Sequence, residues 1–517
     1  MTAAVFDIRG GDYAAGGGGS RRLKALLQEV GVDPKTTRRA MVAAYEAEMN
    51  AVIHGGDAQM RVALDPHLLE VTVTDAGPGI ADVPAALCEG FSTAPAAARE
   101  LGFGAGMGLP NIRKNTDRFT IRSAPGRGTQ LRFAVLLAAT PGLAEAGPVP
   151  HLTPADCVTC GRCVRACPTG ALRLYGDALH LRAEQCIGCN VCASVCPERV
   201  FHPFDPADAA PVGGTLLLPT SALGQAPGMT AEALAALPAA AVRAMSAWEQ
   251  AMAQAVRTFA ETAPTQPVIA PVCPAAVALI RLRFPALLIH VAPLVTPLEA
   301  ALDTPEEAVV AAVPMCPAQA ALAVSGPMTR VARVTMDTLC VALTEIRRAA
   351  AHEHPPYVPG PAEGGALLEI SGPEQVMRFL ERLEAGAPTV RGPVALYLCP
   401  GGCYGAPGWP EVAAIARQRA AVIAPAFDTA SHAVHRTAPL TPRAGERLDD
   451  DMAAAIDKLG RIDTLVTQLP GRDCAACGAP NCAAFATDVV QGRAALGACP
   501  YCGKTPAPTR RREEDGD

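Results

Sequence analysis

No long basic stretch runs through this sequence: 44 Lys and Arg stand against 50 Asp and Glu, a formal charge of −6. A partner gripped through its phosphate backbone is therefore a poor expectation, and no nucleic-acid partner is expected. A membrane-spanning run is also missing. The least polar segment, Ala308 to Val324, is uncharged but contains Pro314, Pro317 and Gln319 and barely reaches spanning length. It reads as a buried strand and turn. The start, "MTAAVFDIRGGD", has neither the basic residues nor the apolar run of a secretory signal. No GxxxxGK[ST] occurs, which excludes a P-loop. The expected protein is soluble and cytoplasmic, and it contains 19 cysteines. In a reducing compartment that number points to metal ligation rather than disulfides. At 517 residues the chain exceeds one compact core, so several domains are expected.

Residues 1–137 hold four short signals in order. Met41, Val42, Tyr45, Met49, Val52 and Ile53 recur at helical spacing, and Glu46 and Asn50, four apart, share one face of that helix. A carboxylate there can orient or deprotonate an attacking group, and an amide oxygen can help hold Mg²⁺. "LLEVTVTDAGPGI" alternates Leu69, Val71 and Val73 as a strand, then turns through Asp75, Gly77 and Gly79. Asp75 can accept from an adenine amine, and the glycines let a base approach the backbone. "GFGAGMGLPNI" sets Gly102, Gly104, Gly106 and Gly108 before a helix, a lid able to present N–H groups to phosphate. "FTIRSAPGRGTQLRFAV" is a strand, a turn and a strand, and its Thr129 completes the expected ATP-binding set.

In this order the four signals resemble the Bergerat-fold ATPases, the family of gyrase, Hsp90, histidine kinases and anti-sigma kinases. The resemblance implies an antiparallel sheet covered by helices on one face, with ATP and Mg²⁺ as ligands. The first histidine is His54, inside the domain, so the phosphoacceptor histidine of a histidine kinase does not precede it. No transducer follows it either, because the chain moves directly to cysteines. "YEAEMNAVIH" looks most like the anti-sigma-factor serine/threonine kinases. That resemblance implies Glu46 as the catalytic carboxylate, Asn50 on Mg²⁺, and a serine on a partner protein, of the STAS-type anti-sigma antagonists, as acceptor. It also implies a homodimer, since that family often dimerises. A nucleotide-binding fold without turnover is the alternative.

Residues 151–200 contain an internal repeat. "CVTCGRCVRACP" and "CIGCNVCASVCP" both read C-x₂-C-x₂-C-x₃-C-P, the bacterial ferredoxin run, in which the fourth cysteine ligates the other cluster. Cys157, Cys160, Cys163 and Cys196 are expected to hold one [4Fe–4S] cluster, and Cys186, Cys189, Cys192 and Cys167 the other. Zinc can explain one CxxC but not eight cysteines in this doubled pattern.

Between 201 and 440, Cys273, Cys316, Cys399 and Cys403 end apolar runs in "IAPVCPAAVALI", "AAVPMCPAQAALA" and "YLCPGGCYGAPG". These segments resemble the cluster-binding segments of [FeFe]-hydrogenase large subunits. The resemblance implies a cubane on the four thiolates, with a two-iron subsite left open. It also exposes departures. The family's relay cysteine is replaced by Val272, which cannot carry a proton, and its cyanide-binding lysine by Gln319, a weaker donor. Sensor-type members depart similarly, so sensing is expected rather than hydrogen production.

The region 441–503 reads as a four-cysteine [4Fe–4S] domain: Cys474, Cys477 and Cys482, with the fourth ligand supplied by Cys499 or by Cys502. Structural zinc is its alternative. Cys88 and Cys340 are expected to be buried thiols. Residues 138–150 read as a linker, the Pro-rich stretch near 354–365 as a surface loop, and 504–517 as disordered. The expected fold is multidomain α/β and α+β: a Bergerat sandwich, a ferredoxin domain, a hydrogenase-like α/β domain and a small helical cluster domain. The expected function is a redox or H₂ sensor whose N-terminal domain is a regulatory serine/threonine kinase. The alternatives are an ATP-driven electron-transfer activator and a hydrogenase with a regulatory ATPase domain.

Overall fold

The computed structural model describes residues 2–13, 16–65, 67–95, 98, 106–137, 146–211, 214–225, 229–239, 241–302, 310–325, 331–335, 337–340, 367–387, 390–406, 413–427, 433–436 and 438–502. Gly102, Gly104, the Pro-rich stretch near 354–365 and residues 504–517 lie outside them.

The N-terminal region is a five-stranded antiparallel sheet in the order β1 (Thr2–Ile8), β2 (Ala58–Leu64), β3 (Leu68–Asp75), β5 (Thr129–Leu136), β4 (Arg118–Ser123). Alternation decides its two faces. Leu69, Val71 and Val73 of β3 point into the core with Leu131, Phe133 and Val135 of β5, while Glu70 and Arg132 pair outside. Three helices cover the apolar face: α1 (Gly18–Glu29), α2 (Pro34–Asn50) and α3 (Gly108–Asn115). α2 starts at Asp33, whose carboxylate accepts from the amides of Lys35 and Thr36, with Pro34 at its first position.

Two short helices, α4 (Arg162–Ala166) and α5 (Val191–Val195), sit in the dicluster region between the strand pair β6 (His151–Leu152) with β9 (Phe201–His202) and the hairpin β7 (Leu172–Tyr175) with β8 (Ala178–Leu181). The sequence repeat is also a backbone repeat. Left-handed residues recur at Thr159 and Gly188, Gly161 and Asn190, and Gly170 and Arg199, each pair 29 apart like the cysteines.

The central region holds two parallel sheets, β11 (Ala241–Ala244), β10 (Thr215–Leu218), β13 (Val310–Ala312), β14 (Val331–Arg333), and β12 (Val268–Ala270), β16 (Pro393–Tyr397), β15 (Leu368–Ser371). Their strands are short, and β10, β12 and β16 are built almost wholly of apolar buried residues, as strands covered on both faces must be. Helices α6 (Ser246–Thr262), α7 (Pro274–Arg283), α8 (Pro317–Ser325) and α9 (Pro373–Glu384) provide cover. The Ala308–Val324 segment expected as strand and turn is instead strand β13 followed by α8, because Pro317 opens a helix as readily as it closes one.

The C-terminal region is α10 (Met452–Gln468) and α11 (Cys482–Val490) with their cysteine loops. α10 lies against β1, and its Ala455, Ile456, Leu459 and Ile462 belong to the same apolar core as Phe6, Ile8, Leu23 and Leu27. The two ends of the chain therefore share one core. Among the described residues, no helix is long and apolar enough to cross a membrane.

Candidate functional site

The N-terminal region encloses a cavity of about 770 Å³. α2 delivers Glu46 and Asn50 to it, and the π-helical turn Ala51–Gly55 that ends α2 carries Ile53 and His54 to the same wall. Glu46 Oε1 accepts from Asn111 Nδ2 at 2.7 Å, so α3 fixes the carboxylate. Burial pushes the Glu46 carboxyl above its ordinary range, and the Asn111 bond opposes this. Gly108 opens α3 so near these groups that a β-carbon there would stand 3.0 Å from Asn50 Oδ1 and 3.4 Å from Glu46 Oε2. A side chain there would press on both groups.

Gly79, Gly106 and Thr129 also line the cavity. Gly77 does not; its N–H donates to Asp75 Oδ1 at 2.9 Å, and the Thr129 N–H donates to the same oxygen at 3.2 Å. Asp75 thus stands at the cavity with its orientation fixed by two amides.

These residues fit a magnesium nucleotide. Asn50 Nδ2 is a buried donor without a partner, suited to a phosphate oxygen, which leaves Oδ1 for a cation, and α3 opens at Gly108 behind Met107 with no side-chain cap, leaving its first amides for an anion. No Lys or Arg is among the described residues lining the cavity. The charge of a triphosphate would fall on those amides and on a cation beside Asn50. Sequence reasoning missed Asn111, because the contact with Glu46 is made between two helices and no spacing within either one reports it. It also missed Glu48, a buried carboxylate accepting from Gly19 N at 3.0 Å and Ser20 N at 2.9 Å at the start of α1.

The cysteines gather in four groups. Cys157, Cys160, Cys163 and Cys196 line one small hollow with Leu174 and Phe201. Burial, then the charge of the other three, pushes the Cys163 thiol up to about 11. Cys167, Cys186, Cys189 and Cys192 form the second group; burial raises Cys189 and Cys192, and the charges of Cys167 and Cys186 add to it at both. Cys273, Cys316, Cys399 and Cys403 converge from three separate segments of the central region, with burial and neighbouring thiols pushing Cys316 up to about 12. In the fourth group Cys477 is raised by burial and then by Cys499 and Cys482, while Cys474 is exposed. Cys502 is half-buried, and its N–H donates to the Cys499 carbonyl at 3.3 Å. Cys88, expected to be buried, is exposed, with its thiol near the Pro84 carbonyl, and Cys340 is half-buried.

The thiols of the first group fit a cluster: Cys157, Cys160, Cys163 and Cys196 are spread round one hollow, as the corners of a cube require. Among the described residues, the non-glycine residues with left-handed backbone are Thr159, Asn190, Arg199, Asp473 and Ala475, and all lie in the cysteine loops of the dicluster and C-terminal regions. Such turns aim successive N–H groups into a concavity, which suits an anionic cluster.

The groups also follow one another. Leu174, at the first hollow, donates its N–H to the Gly478 carbonyl at 2.8 Å, and Gly478 lies one residue from Cys477. A β-carbon at Gly478 would collide with the Leu174 carbonyl, and its φ of 84° suits glycine alone. Cys163 lies close enough to Cys192 to raise it by its charge. Beyond Cys189, Asn190 Nδ2 donates to the Met315 carbonyl at 3.4 Å, next to Cys316. The order is C-terminal group, first hollow, second group, central group.

Family models match three stretches: a histidine kinase-like ATPase domain at 19–135, a 4Fe-4S dicluster domain at 151–201 and an Fe-S cluster domain at 469–501. The chain joins a histidine kinase-like ATPase domain to iron–sulfur domains. Over 111 residues the ATPase domain is 28% identical to the serine/threonine-protein kinase RsbT of Bacillus subtilis, covering 21% of this chain and 77% of that one. Over 94 residues it is 35% identical to an anti-sigma F factor of Bacillus velezensis, covering 17% of this chain and 61% of that one. A variant of [FeFe]-hydrogenase HydA1 from Chlamydomonas reinhardtii overlaps 41% of this chain, covering 83% of that one, at 16% identity and with no closeness of fold at a TM-score of 0.30. A likeness at that score transfers no chemistry.

Proposed function

We propose that the chain is an iron–sulfur sensor whose ATPase domain phosphorylates a serine or threonine on a partner protein. The observation that carries this reading is Glu46, lifted in pKa by burial and held by Asn111, beside the partnerless amide of Asn50 and the uncapped start of α3. In the proposed reaction Glu46 takes the proton of the acceptor hydroxyl as that oxygen bonds to the γ-phosphorus of ATP and ADP leaves. Asn50 orients the Mg²⁺, the α3 amides hold phosphate oxygens, and Asp75 accepts from the adenine amine. RsbT being a serine/threonine kinase supports the reaction class. The anti-sigma F factors among the relatives support a protein partner; that the partner is a STAS-type antagonist and that the chain forms a homodimer belong to this proposal.

The clusters supply one-electron redox chemistry when bound. In this reading Cys157, Cys160, Cys163 and Cys196 hold one, Cys167, Cys186, Cys189 and Cys192 a second, Cys273, Cys316, Cys399 and Cys403 a third, and Cys474, Cys477, Cys482 and Cys499 a fourth. Their succession makes an electron path from the C-terminal loops to the central group. Beside Cys403 lies a further cavity of about 790 Å³, bordered by Val272 and Gln319. Infrared bands of iron-bound CO and CN⁻ in anaerobically matured protein would make H₂ the signal; their absence would make it redox state.

The test is ATP turnover and phosphotransfer to a STAS-type protein, with clusters oxidised or reduced. Turnover that differs between the two states, with phosphoserine or phosphothreonine on the acceptor, is expected. Equal rates would end the sensor reading, and hydrolysis in fixed proportion to electrons delivered would favour the activator. Glu46→Gln is expected to lower kcat by about 10²–10⁴-fold. With Glu46 raised, the wild-type rate should climb with pH as that carboxyl deprotonates.

A further inference from the structure

The ATP cavity is not built by the ATPase domain alone. Ala385, Gly386 and Ala387 of the central region form part of its wall, on a lining that includes Tyr45 and Glu46. They are the residues that follow α9, and α9 is clasped to the ATPase domain. Glu384, 3% exposed, pairs with Lys24 of α1, 8% exposed, and the Lys24 ammonium sits 3.9 Å from the Phe284 ring centroid. Burial acts against both charges, lowering Lys24 and raising Glu384, and the attraction and hydrogen bond between the two oppose it. Arg38 of α2 and Gln28 of α1 add hydrogen bonds of 3.0 Å to the carbonyls of Ala286 and Arg283.

The other end of α9 stands at the central cysteines. β15, α9 and β16 form one unit of parallel strands joined by a helix. Where α9 begins, the Gly372 N–H donates to the Tyr397 carbonyl at 3.0 Å, and the Gly401 N–H donates to Ser371 Oγ at 3.1 Å. Tyr397 lies two residues before Cys399, and Gly401 lies between Cys399 and Cys403. A helix of this length spans roughly 18 Å and transmits displacement as a rod. One element therefore has the central thiols at its head and the ATP cavity at its foot.

We propose that α9 is the positioning element through which the central cysteine site controls the ATP site, with residues 385–387 as a movable wall beside Glu46 and Lys24–Glu384 as the clasp. This rests on the sensor-kinase reading above. A shift of the Cys399–Cys403 loop moves the wall along the face where the acceptor hydroxyl must reach Glu46, so the control acts on turnover more than on adenine binding. A buried ion pair suits a clasp because it holds in one geometry only, whereas apolar residues of similar volume hold in many.

The test uses the full chain with its clusters reconstituted, ATP as ligand, and turnover measured in oxidised and dithionite-reduced protein. Wild type is expected to show a ratio between states of about 5–150-fold, carried by kcat rather than KM. Lys24→Met with Glu384→Leu, which replaces the pair by apolar side chains, should bring the ratio to near one while iron content and melting temperature hold. A ratio that survives in that variant overturns the proposal and leaves the sensor-kinase reading intact. Hydrogen exchange of Pro373–Glu384 in wild type is the second measurement, and it does not depend on the variant folding. Slower exchange on ATP binding is expected, and unchanged exchange overturns the proposal. If wild type shows no ratio at all, the sensor-kinase reading fails and the control proposed here fails with it. Changed exchange in that case shows only that ATP and α9 are in contact.

Discussion

Two interfaces hold the ATPase domain, and they are made of opposite materials. Against α10 the contact is apolar, with Ile456, Leu459 and Ile462 continuous with Phe6, Ile8 and Leu27 in one core. Against the central region the contact is polar, a buried Lys24–Glu384 pair with a few hydrogen bonds around it. Apolar burial is strong and nearly indifferent to angle, so it makes a permanent joint. A buried ion pair contributes little net stability but tolerates little misalignment, so it reports position. The C-terminal region shares the core of the ATPase domain, whereas the central region meets it through a cluster of polar contacts.

Breaking the polar interface by one partner should cost most. Glu384→Ala leaves Lys24 without its partner at a buried site, an expected loss of about 3–5 kcal/mol by denaturant unfolding, while the double apolar replacement stays near neutral. Were the single and double variants equally destabilised, the pair would be ordinary packing. In the apolar interface, Leu459→Ala should cost about 2–5 kcal/mol and weaken ATP binding, although residue 459 does not line the ATP cavity. A loss confined to the C-terminal region, with ATP affinity intact, would mean the shared core is two cores.

A smaller effect sharpens the comparison through pH. Glu29 ends α1, and burial lifts its carboxyl to about 7, against the pull of Arg283. A folded-state value above the unfolded one means the folded protein binds the proton more tightly. Its contribution is full below about 4.5 and is lost as pH rises through about 7. Stability should therefore fall across that window, and Glu29→Gln should flatten the slope in melts taken at a series of pH values. The smallest effect belongs to Arg39 and Asp117, 2.8 Å apart but each 30% exposed at the side chain. Arg39→Ala should change stability by about 0–1 kcal/mol, which sets the scale for what burial adds to Lys24–Glu384.

The cysteine repeat was legible because spacing itself is the chemistry: residues 29 apart repeat in backbone as well as in type, down to the left-handed Asn190 matching Gly161. Glu46 and Asn50 were legible because helical geometry fixes which residues share a face. Their brace, Asn111, comes from another helix, and helical spacing says nothing about what lies across a gap. The α10–β1 joint and the Lys24–Glu384 clasp were invisible for the same reason. The amphipathic pattern of α10 marks an apolar face without naming its cover, and a lysine and a glutamate 360 positions apart look like two solvated charges until the fold buries them together.

The shared core also sets an order of events during synthesis. The sheet of the ATPase domain is delivered first, and α10, which covers β1, follows roughly three hundred residues later. At translation speeds of about 5–20 residues per second, that gap lasts roughly 15–60 s. Every cysteine loop of the dicluster and central regions is made within it. Every described residue lining the cavity beside Glu46 precedes α10 in the chain, so a chain that stalls or is cut before α10 carries the cavity residues and those cluster loops on a sheet whose β1 lacks that cover. The last piece of the core arrives only after every one of those loops.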